Sequence, residues 1–337
     1  MVVVMIAVTG ATGFLGHNLI PLLVERGHTV RILARSTSQH QFLIDLGVEE
    51  IHGDTRDASA VDRLMDGCDA VIHGAGYFRF WGKADDFHST NVLGTANVLE
   101  AAHRSNVQRF IHISSVVVVG APKPGTIIDE QYVCEPRDDY QRSKLAGEAL
   151  VTNYHDNFGL PTIIFRPGAF YGPYGRYAWN RLFFEDPHIH HLPIQIHGGQ
   201  LLTFPIYLPD LARVIDAALT RGTPGEIYNV SGPSMTHHEV NDVISRLIGD
   251  HPHFFNAPDW GMLLIARLLT FFSRFTHHEP YYPINLAPYV FNNWIVDSSK
   301  AVRDLGFEAT PFVDGARATI EWYRQSGLLR KRGEFNS

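Results

Sequence analysis

Short apolar runs alternate with longer mixed stretches through the first third of the chain. The first run, residues 2–8, is too short for a membrane-spanning helix and has no basic lead-in, so we expect a strand and not a targeting segment. Its unbroken apolar character is typical of a parallel strand buried on both faces. Further strands or strand ends are predicted at 28–33, 51–54, 71–76 and 110–115, with a helix at 91–105. The alternation predicts an α/β fold with a doubly wound parallel sheet.

A glycine-rich turn follows the first predicted strand and opens a predicted helix. Its sequence is Gly10-Ala11-Thr12-Gly13-Phe14-Leu15-Gly16. Glycine allows a tight turn and a close approach of the backbone to a pyrophosphate, whose charge the helix N-terminus stabilises. The spacing is G-x-x-G-x-x-G and not G-x-G-x-x-G, but its place between strand and helix favours a dinucleotide-binding Rossmann fold over a merely structural turn.

The end of the second predicted strand bears on the choice of cofactor. A carboxylate at this position would bind the 2′-hydroxyl of NAD, whereas the sequence here is Ala34-Arg35-Ser36. A guanidinium and a hydroxyl suit a 2′-phosphate. The sequence therefore favours NADP over NAD, the alternative being that Arg35 is an ordinary solvated arginine.

Tyr140 and Lys144 lie four residues apart in a predicted helix and therefore share a helix face. A nearby ammonium favours phenolate, so we expect the tyrosine pKa to move from about 10 toward neutrality and the phenol to act as a general acid or base. Ser115 ends an apolar strand, and its hydroxyl could stabilise a developing oxyanion, while Ser114 is predicted to be structural. In isolation, a Y-x-x-x-K pair is also common as surface decoration.

The second half of the chain is predicted to form the substrate side. We expect 171–200 to be a loop and helix insertion, 205–220 to return to the sheet and 235–288 to form a small helical lobe. The run 262–275 is interpreted as a core or lid helix, with an apolar wall beside a lipophilic substrate or a membrane-surface contact as the alternative.

The predicted organisation therefore has three parts. A dinucleotide-binding domain comprises 1–175, with 203–232 and about 289–300 returning to it. A mostly helical substrate-binding lobe comprises 176–202 and 233–288, and residues 301–337 form C-terminal helices that end in a solvated tail.

Composition excludes several classes of function. The net charge is −7 and the basic residues are scattered, which argues against a nucleic acid partner. The two cysteines, Cys68 and Cys134, are too few for a disulfide framework and fit a reducing cytoplasm. The histidines near 188–197 lack accompanying acidic or cysteine ligands at metal-site spacing, so no metal is predicted.

Seven ordered segments carry a family resemblance that covers most of the chain. They are GATGFLG at Gly10, HGDTRD around Asp54, VIHGAG around Gly74, NVLGTANVLEAA from Asn91, ISSVVVVG around Ser115, YQRSK at Tyr140 and FRPGAFYGP at Arg166. In this order and spacing the chain resembles the extended short-chain dehydrogenase/reductase family, of the NAD-dependent epimerase/dehydratase superfamily.

The resemblance implies roles for individual residues. Ser115 would orient the substrate oxygen, Tyr140 would exchange the proton, and Lys144 would hold the nicotinamide ribose and lower the tyrosine pKa. Asn91 would support the site from behind, a role that we weigh equally with a helix N-cap, and Asp54 would meet the adenine. The implied cofactor-binding residues are Gly10, Thr12, Gly13, Phe14, Leu15, Gly16, Arg35, Ser36, Asp54, Thr55, Gly74, Ala75, Gly76, Tyr140, Lys144, Pro167 and Gly168.

The substrate class remains open between two branches of that family. Nucleotide-sugar enzymes of the family carry an arginine for the pyrophosphate where this chain has Thr203, although Arg176 or Arg181 could substitute. Aromatic residues are abundant nearby, about half of them expected to be ordinary packing. The substrate candidates are Phe78, Trp81, Ser115, Phe170, Tyr171 and Tyr174.

The pattern, including the closing segment 296–307, is similar to the 3β-hydroxysteroid dehydrogenase and dihydroflavonol reductase branch. We therefore expect an NADP-dependent reductase or dehydrogenase of a bulky apolar ketone or alcohol. The alternatives are a nucleotide-sugar epimerase or dehydratase with bound NAD and a non-catalytic NADP-binding regulator. The resemblance also implies a homodimer formed through the helices of Asn91 and Tyr140.

Overall fold

The structure, a computed structural model, describes residues 4–38 and 40–329. Its strands are β1 (Met5–Thr9), β2 (Thr29–Ala34), β3 (Glu49–His52), β4 (Ala70–His73), β5 (Arg109–Ile113), β6 (Thr162–Pro167), β7 (Ala169–Tyr171), β8 (Ile194–Gln195), β9 (Leu202–Thr203), β10 (Pro205–Tyr207), β11 (Ile227–Val230), β12 (Met235–Thr236) and β13 (Phe255–Asn256). Its helices are α1 (Phe14–Glu25), α2 (Gln41–Asp45), α3 (Ala58–Met65), α4 (Ala84–His88), α5 (Gly94–Arg104), α6 (Asp139–Phe158), α7 (Asp186–His188), α8 (Leu208–Ala218), α9 (His237–Ile248), α10 (Asp259–Thr276), α11 (Ala287–Val290), α12 (Ser299–Leu305) and α13 (Phe312–Gln325).

One parallel sheet of seven strands organises the first part of the molecule. Its order is β3-β2-β1-β4-β5-β6-β11, so the chain leaves the edge at β3 and crosses back to the middle at β4. Strands β4 and β6 are wholly buried, because helices cover both faces of the sheet. Helices α1 and α8 pack together in one apolar cluster, and α3, α5 and α6 contribute to the other. The predicted doubly wound parallel sheet is confirmed, and its strand order puts a ligand crevice at the carboxyl ends of β1 and β4.

The segment 205–220 returns to the sheet as a packing layer: β10 pairs with β7, α8 packs on α1 in the apolar cluster that also holds β1 and β2, and β11 supplies the added strand. One sequence-based expectation about local structure is wrong. Asn91 is not a helix N-cap: helical backbone runs from α4 through a π-helical turn, Ser89–Leu93, directly into α5. A chain that is already helical before Asn91 leaves no helix end there to cap.

The remaining chain forms a mostly helical lobe with short strand pairs. Its core is an aromatic cluster in which α9 and α13 pack against the segment around Trp179 and Phe183. Helix α12 instead packs on β11 and α8, so the described part of 301–329 divides between the sheet and the lobe. The predicted tail at 330–337 lies outside the described residues. Among the helices of the described chain, none combines the length and the apolarity that crossing a membrane requires.

A buried ion pair joins α6 to the sheet. Arg166 on β6 donates to both carboxylate oxygens of Glu148 on α6, at 2.6 and 3.0 Å, and the two side chains are 6% and 4% exposed. Ser114, just after β5, donates to the same carboxylate at 2.5 Å, a contact that agrees with the structural role predicted for it. The hydrogen-bonding atoms of these three side chains therefore find partners in one another at a site with little access to water.

Removing the negative charge should strongly destabilise the fold. In Glu148→Gln the Arg166 guanidinium would stay buried without its counter-charge, and we expect the free energy of unfolding to fall by about 3–5 kcal/mol in urea titrations. The matched control on the same helix is Asp139→Asn, which removes an exposed pair with Arg142 and should change it by less than about 1 kcal/mol. Equal, small effects of both substitutions would contradict this role of the buried pair.

Candidate active site

A cavity of about 710 Å³ opens at the carboxyl ends of the parallel strands. Most of the residues predicted to bind the cofactor or the substrate line it. They are Gly10, Thr12, Gly13, Phe14, Leu15, Arg35, Asp54, Thr55, Gly74, Ala75, Gly76, Phe78, Ser115, Tyr140, Lys144, Gly168 and Phe170. These residues follow six different strands, and the parallel sheet brings them to one edge.

The glycine turn lies at the floor of this cavity and fits a pyrophosphate. Gly10 has φ +76°, and a Cβ atom on it would lie 2.5 Å from the carbonyl carbon of Gly74, so no larger residue fits there. Gly13 caps α1 without a side chain, and no acidic residue stands in the first turn. The amide groups of this helix start are therefore accessible to an anion. Gly16 lies outside the lining, where a Cβ would overlap the Ala11 carbonyl oxygen at 1.8 Å, so its role is close packing of the helix on the turn.

The far end of the cavity carries two arginines. Arg35 is exposed at the end of β2 and lines the cavity, whereas Ser36 is exposed outside the lining. Arg56, which sequence reasoning missed, donates to the Asp54 carboxylate at 2.8 and 3.2 Å. Burial raises the pKa of Asp54, but the hydrogen bonds and charge of Arg56, with a smaller contribution from Arg35, hold it below its usual value. The region is thus suited to an anionic group beside Arg35.

The predicted catalytic side chains converge on the opposite part of the cavity. Ser115 lies two residues after β5. Tyr140 lies in the first turn of α6, whose start is capped by the Asp138 carboxylate accepting from the Gln141 amide at 2.8 Å. Lys144, one turn further along α6, donates to the Ile113 carbonyl at 2.7 Å. The prediction that these three residues share one site agrees with this geometry.

The expected lowering of the tyrosine pKa is wrong for this structure. Burial raises the pKa of Tyr140 well above its usual value; the Ser115 hydroxyl lowers it, and the charge of Asp138 raises it further. Burial also lowers the pKa of Lys144 to about 8, although the Glu148 carboxylate opposes this shift. Desolvation is the largest contribution to both shifts, so Tyr140 holds its proton and Lys144 loses its charge around pH 8.

Asn91 supports this arrangement from behind the cavity. Its side-chain oxygen accepts from the Tyr77 amide at 2.7 Å, and its nitrogen donates to the Tyr77 carbonyl at 3.1 Å and to Ser143 Oγ at 2.9 Å. Ser143 in turn donates to the Tyr140 carbonyl at 2.8 Å. Asn91 is a positioning residue that joins the loop after β4 to the start of α6.

Aromatic rings enclose the space beside Tyr140. The centroids of the Phe78 and Tyr140 rings lie 4.7 Å apart. The centroid of the Phe80 ring lies 5.6 Å from that of Tyr177 and 5.2 Å from that of Tyr289. The Tyr177 hydroxyl accepts from the Phe80 amide at 3.1 Å and fixes this loop. The lobe adds lining residues that sequence reasoning did not assign, because they lie far along the chain and carry no motif: Phe204, His237, Leu286, Tyr289 and Val290.

Four other candidates lie away from the cavity. Tyr171 is buried in the lobe against Trp179, and Tyr174 is exposed and packs on His17. Pro167 is buried at the end of β6, and Trp81 is half-buried outside the lining. Side chains alternate along an extended segment, so the lining residue Phe170 and its neighbour Tyr171 point in different directions.

The arginines considered for a sugar-nucleotide pyrophosphate are engaged elsewhere. Thr203 lines the cavity and accepts a hydrogen bond from Trp179 at 2.8 Å. Arg176 donates to Glu185 at 3.1 and 3.3 Å, and Arg181 donates to the Tyr281 carbonyl at 2.5 Å. Neither arginine lines the cavity.

The histidines considered as metal ligands also have other partners. His188 contacts Asp250 at 2.8 Å, His190 contacts the Tyr281 hydroxyl at 2.9 Å, and His197 contacts Asp259 at 2.6 Å. Across residues 4–38 and 40–329, no three His, Cys, Asp or Glu side chains form a group that could hold a metal ion.

Known proteins match this chain in sequence and in fold. The sequence model of the NAD dependent epimerase/dehydratase family matches residues 6–231. The sterol demethylase protein B of Methylococcus capsulatus is 29% identical over 96% of this chain and 99% of its own length. The dTDP-glucose 4,6-dehydratase of Streptomyces niveus is 28% identical over 95% and 93%, and the ceramide reductase of Caulobacter vibrioides is 29% identical over 97% and 96%.

Solved structures show the same fold. The crystal structure of gox2253 superposes with a TM-score of 0.82 at 27% identity, covering 97% of this chain and 99% of that one. A UDP-glucose 4-epimerase from Thermus thermophilus in complex with NAD superposes with a TM-score of 0.77 at 23% identity, covering 95% and 99%. A family match across most of the sheet, together with the glycine turn and the Ser115, Tyr140 and Lys144 site, shows that the chain belongs to the NAD-dependent epimerase/dehydratase family of extended short-chain dehydrogenases/reductases.

Proposed function

We propose that the protein is an NADP-dependent oxidoreductase that interconverts a ketone and a secondary alcohol on a bulky, largely apolar small molecule. The observation that carries this proposal is the aromatic enclosure of Tyr140 by Phe78, Phe80, Tyr177 and Tyr289. Aromatic walls with a few convergent polar groups suit an apolar ligand that presents one oxygen.

The side chains can perform this chemistry at a single oxygen atom. When bound, the nicotinamide cofactor supplies or accepts the hydride. The Ser115 hydroxyl would donate to the substrate oxygen, and the Tyr140 phenol would deliver its proton as charge develops there. The raised pKa of Tyr140 keeps that proton available, and Asn91 holds the backbone from which the phenol extends. Lys144 would hold the ribose of the cofactor, and the glycine turn would hold its pyrophosphate.

Arg35 supports the choice of NADP. It stands at the end of β2, where a carboxylate would select NAD, and it lines the cavity with its guanidinium accessible. The Thermus thermophilus structure contains NAD, so the preference rests on this chain's own residues.

A second candidate function is a nucleotide-sugar epimerase or dehydratase with bound NAD. The relatives named as dTDP-glucose 4,6-dehydratases favour it. Against it, Thr203 stands where a pyrophosphate-binding arginine would be expected, and Arg176 and Arg181 are engaged by Glu185 and Tyr281. The relatives whose names refer to a sterol and to ceramide fit the apolar enclosure better.

A homodimer through α5 and α6 belongs to the same proposal. These neighbouring helices expose Leu93 just before α5 and Phe158 at the end of α6, at 51% and 52%. The free thiols of Cys68 and Cys134 suit a reducing compartment, and the cytoplasm remains our prediction.

Replacing the proton donor should abolish turnover with little effect on cofactor binding. For Tyr140→Phe we expect NADPH oxidation with a panel of cyclic apolar ketones to fall by about 100- to 10,000-fold, because the ring stays and only the proton-donating hydroxyl is lost. NADPH affinity, measured by fluorescence titration, should change by less than about threefold. A fully active Tyr140→Phe enzyme would overturn the mechanism.

Purification of the native protein with bound NAD and turnover of dTDP-glucose without net hydride release would favour the nucleotide-sugar epimerase or dehydratase instead.

Reversing the charge of Arg35, at the end of β2 where the adenosine ribose would lie, should change the preference between NADP and NAD. Arg35→Asp is expected to weaken NADPH binding by at least tenfold and to leave NADH binding unchanged or improved, because the carboxylate repels a 2′-phosphate and accepts from a 2′-hydroxyl. Arg63→Asp, on the exposed side of α3, is a charge-matched control that should change neither affinity. Unchanged NADPH/NADH discrimination in Arg35→Asp would refute the assigned role.

The rate of reduction should fall at alkaline pH. The Lys144 ammonium has a pKa of about 8 in the folded protein, so its charge is complete at pH 6.5 and is lost as the pH rises through 8. The Tyr140 phenol stays protonated over this range because its pKa is raised. We expect kcat/KM for NADPH to decline above pH 8, and Lys144→Arg, which stays charged, to lose this decline even if its rate is lower. A native enzyme whose kcat/KM for NADPH stays constant up to pH 9.5 would contradict the role assigned to the Lys144 charge.

A further inference from the structure

Helix α10 exposes a broad apolar face to the surroundings of the protein. Trp260 and Phe275, near its two ends, are 72% and 70% exposed. At 100° per residue the exposed apolar side chains fall within an arc of about 140°. They are Trp260, Leu264, Ile265, Leu268, Phe271, Phe272 and Phe275, here called the α10 apolar face. Helices of water-soluble domains normally turn such a face to the core, so a contiguous exposed face indicates an interaction surface.

Two cations border the α10 apolar face along one edge. Arg267 and Arg274 are both exposed and lie seven residues apart, which places them one above the other about two turns apart. The acidic residue of the helix, Asp259, lies at its start and contacts His197 at 2.6 Å. Large apolar and aromatic side chains beside an arginine edge match the boundary between acyl chains and phosphate groups in a lipid bilayer.

A second copy of the chain fits this face less well. In a two-fold symmetric contact the same patch meets itself, so each copy would bring both arginines to the shared seam. The α10 apolar face itself offers no carboxylate to pair with them. Anionic phospholipid phosphates would supply the complementary charge.

The inner side of α10 borders the candidate active site. Met262, Leu263 and Ala266 line a cavity of about 100 Å³ behind the helix. This cavity and the main one share Leu182, Phe183, His237, Leu286 and Val290 as lining residues. Helix α10 therefore lies over a small cavity that adjoins the main one.

The segments that flank α10 are fixed to the rim of the active site. Glu279, just after the helix, accepts from the Tyr177 hydroxyl at 2.5 Å, and that same hydroxyl accepts from the Phe80 amide. Before the helix, β13 pairs with β8 of the lobe. The segment after α10 is thereby connected to the aromatic rings beside Tyr140.

We propose that the α10 apolar face docks on an anionic phospholipid bilayer, with Arg267 and Arg274 at the level of the phosphates, and that α10 lies along the route by which an apolar substrate passes from the bilayer into the main cavity. The docking is independent of the reaction. The admission of substrate rests on the proposed function.

Docking is tested by co-sedimentation of the full chain with vesicles of phosphatidylcholine alone and of phosphatidylcholine with 30% phosphatidylglycerol. The native protein should bind the anionic vesicles, and binding should weaken at 0.5 M NaCl because salt screens the arginine contacts. Leu268→Glu/Phe272→Glu should reduce the bound fraction at least tenfold, because carboxylates would enter the apolar region. Arg267→Ser/Arg274→Ser should remove the preference for phosphatidylglycerol.

The matched control places the same two charges elsewhere. Ile127 and Val133, in the segment between β5 and α6, are 62% and 71% exposed and are not part of the α10 apolar face, so Ile127→Glu/Val133→Glu should bind vesicles as the native protein does. Circular dichroism and NADPH titration would verify that every variant is folded. Failure of the native protein to sediment with anionic vesicles would overturn the proposal. So would a native dimer that Leu268→Glu/Phe272→Glu converts to monomer without any vesicle binding.

The substrate route is tested separately with one ketone presented in two ways. Leu268 and Phe272 do not line either cavity, so Leu268→Glu/Phe272→Glu should reduce a detergent-dispersed ketone at the native rate. With the same ketone incorporated in anionic vesicles, its rate should fall at least fivefold. Equal rates for the native protein and Leu268→Glu/Phe272→Glu with the ketone in vesicles would refute the substrate route along α10. Absence of ketone reduction by the native protein in both forms would refute the proposed function while leaving the sedimentation result intact.

Discussion

The ion pair between Glu148 and Arg166 is the contact on which the geometry of the active site depends. Helix α6 carries Tyr140, Lys144 and Glu148 at intervals of four residues, so all three lie on the helix face that meets the sheet. Glu148 fixes that face through Arg166 on β6 and through Ser114 at the end of β5. Ser114 directly precedes Ser115, and therefore one carboxylate determines both where the helix lies and where the serine strand ends.

The same burial that makes this ion pair strong sets the proton affinities of the site. Tyr140 and Lys144 are shifted in opposite directions for one reason, because a low-dielectric surrounding disfavours the charged form of each. A tyrosine that keeps its proton and a lysine that loses its charge around pH 8 differ from the phenolate–ammonium pair expected from helix spacing alone. Helix spacing specifies adjacency, whereas desolvation depends on what the rest of the chain places around the pair.

Sequence reasoning anticipated the elements whose signals are local. The glycine turn, the parallel strands and the Ser115, Tyr140 and Lys144 constellation all depend on short segments with fixed spacing, and the structure brings them to one edge of the sheet. The substrate end was anticipated only in part. Tyr289 and Val290 enter the cavity from a lobe about 150 residues beyond Tyr140, and nothing in their own surroundings predicts this. Tyr171 and Tyr174 show the converse: aromatic content near a motif does not specify which side of the backbone faces the ligand.

Asn91, in the π-helical turn, fixes the position of the loop after β4 separately from the aromatic side chains that this loop presents to the substrate. Both hydrogen bonds between Asn91 and Tyr77 use the backbone of the loop after β4, and neither uses the side chains of Phe78 or Phe80. The position of the loop is therefore independent of the rings that it presents to the cavity. A substitution at Phe80 would therefore reshape the substrate pocket and leave the hydrogen bonds of Asn91 in place, whereas one at Phe78 would also change the packing of the Tyr140 ring. Substrate specificity in this chain can thus change through Phe80 without a change in the position of the proton donor.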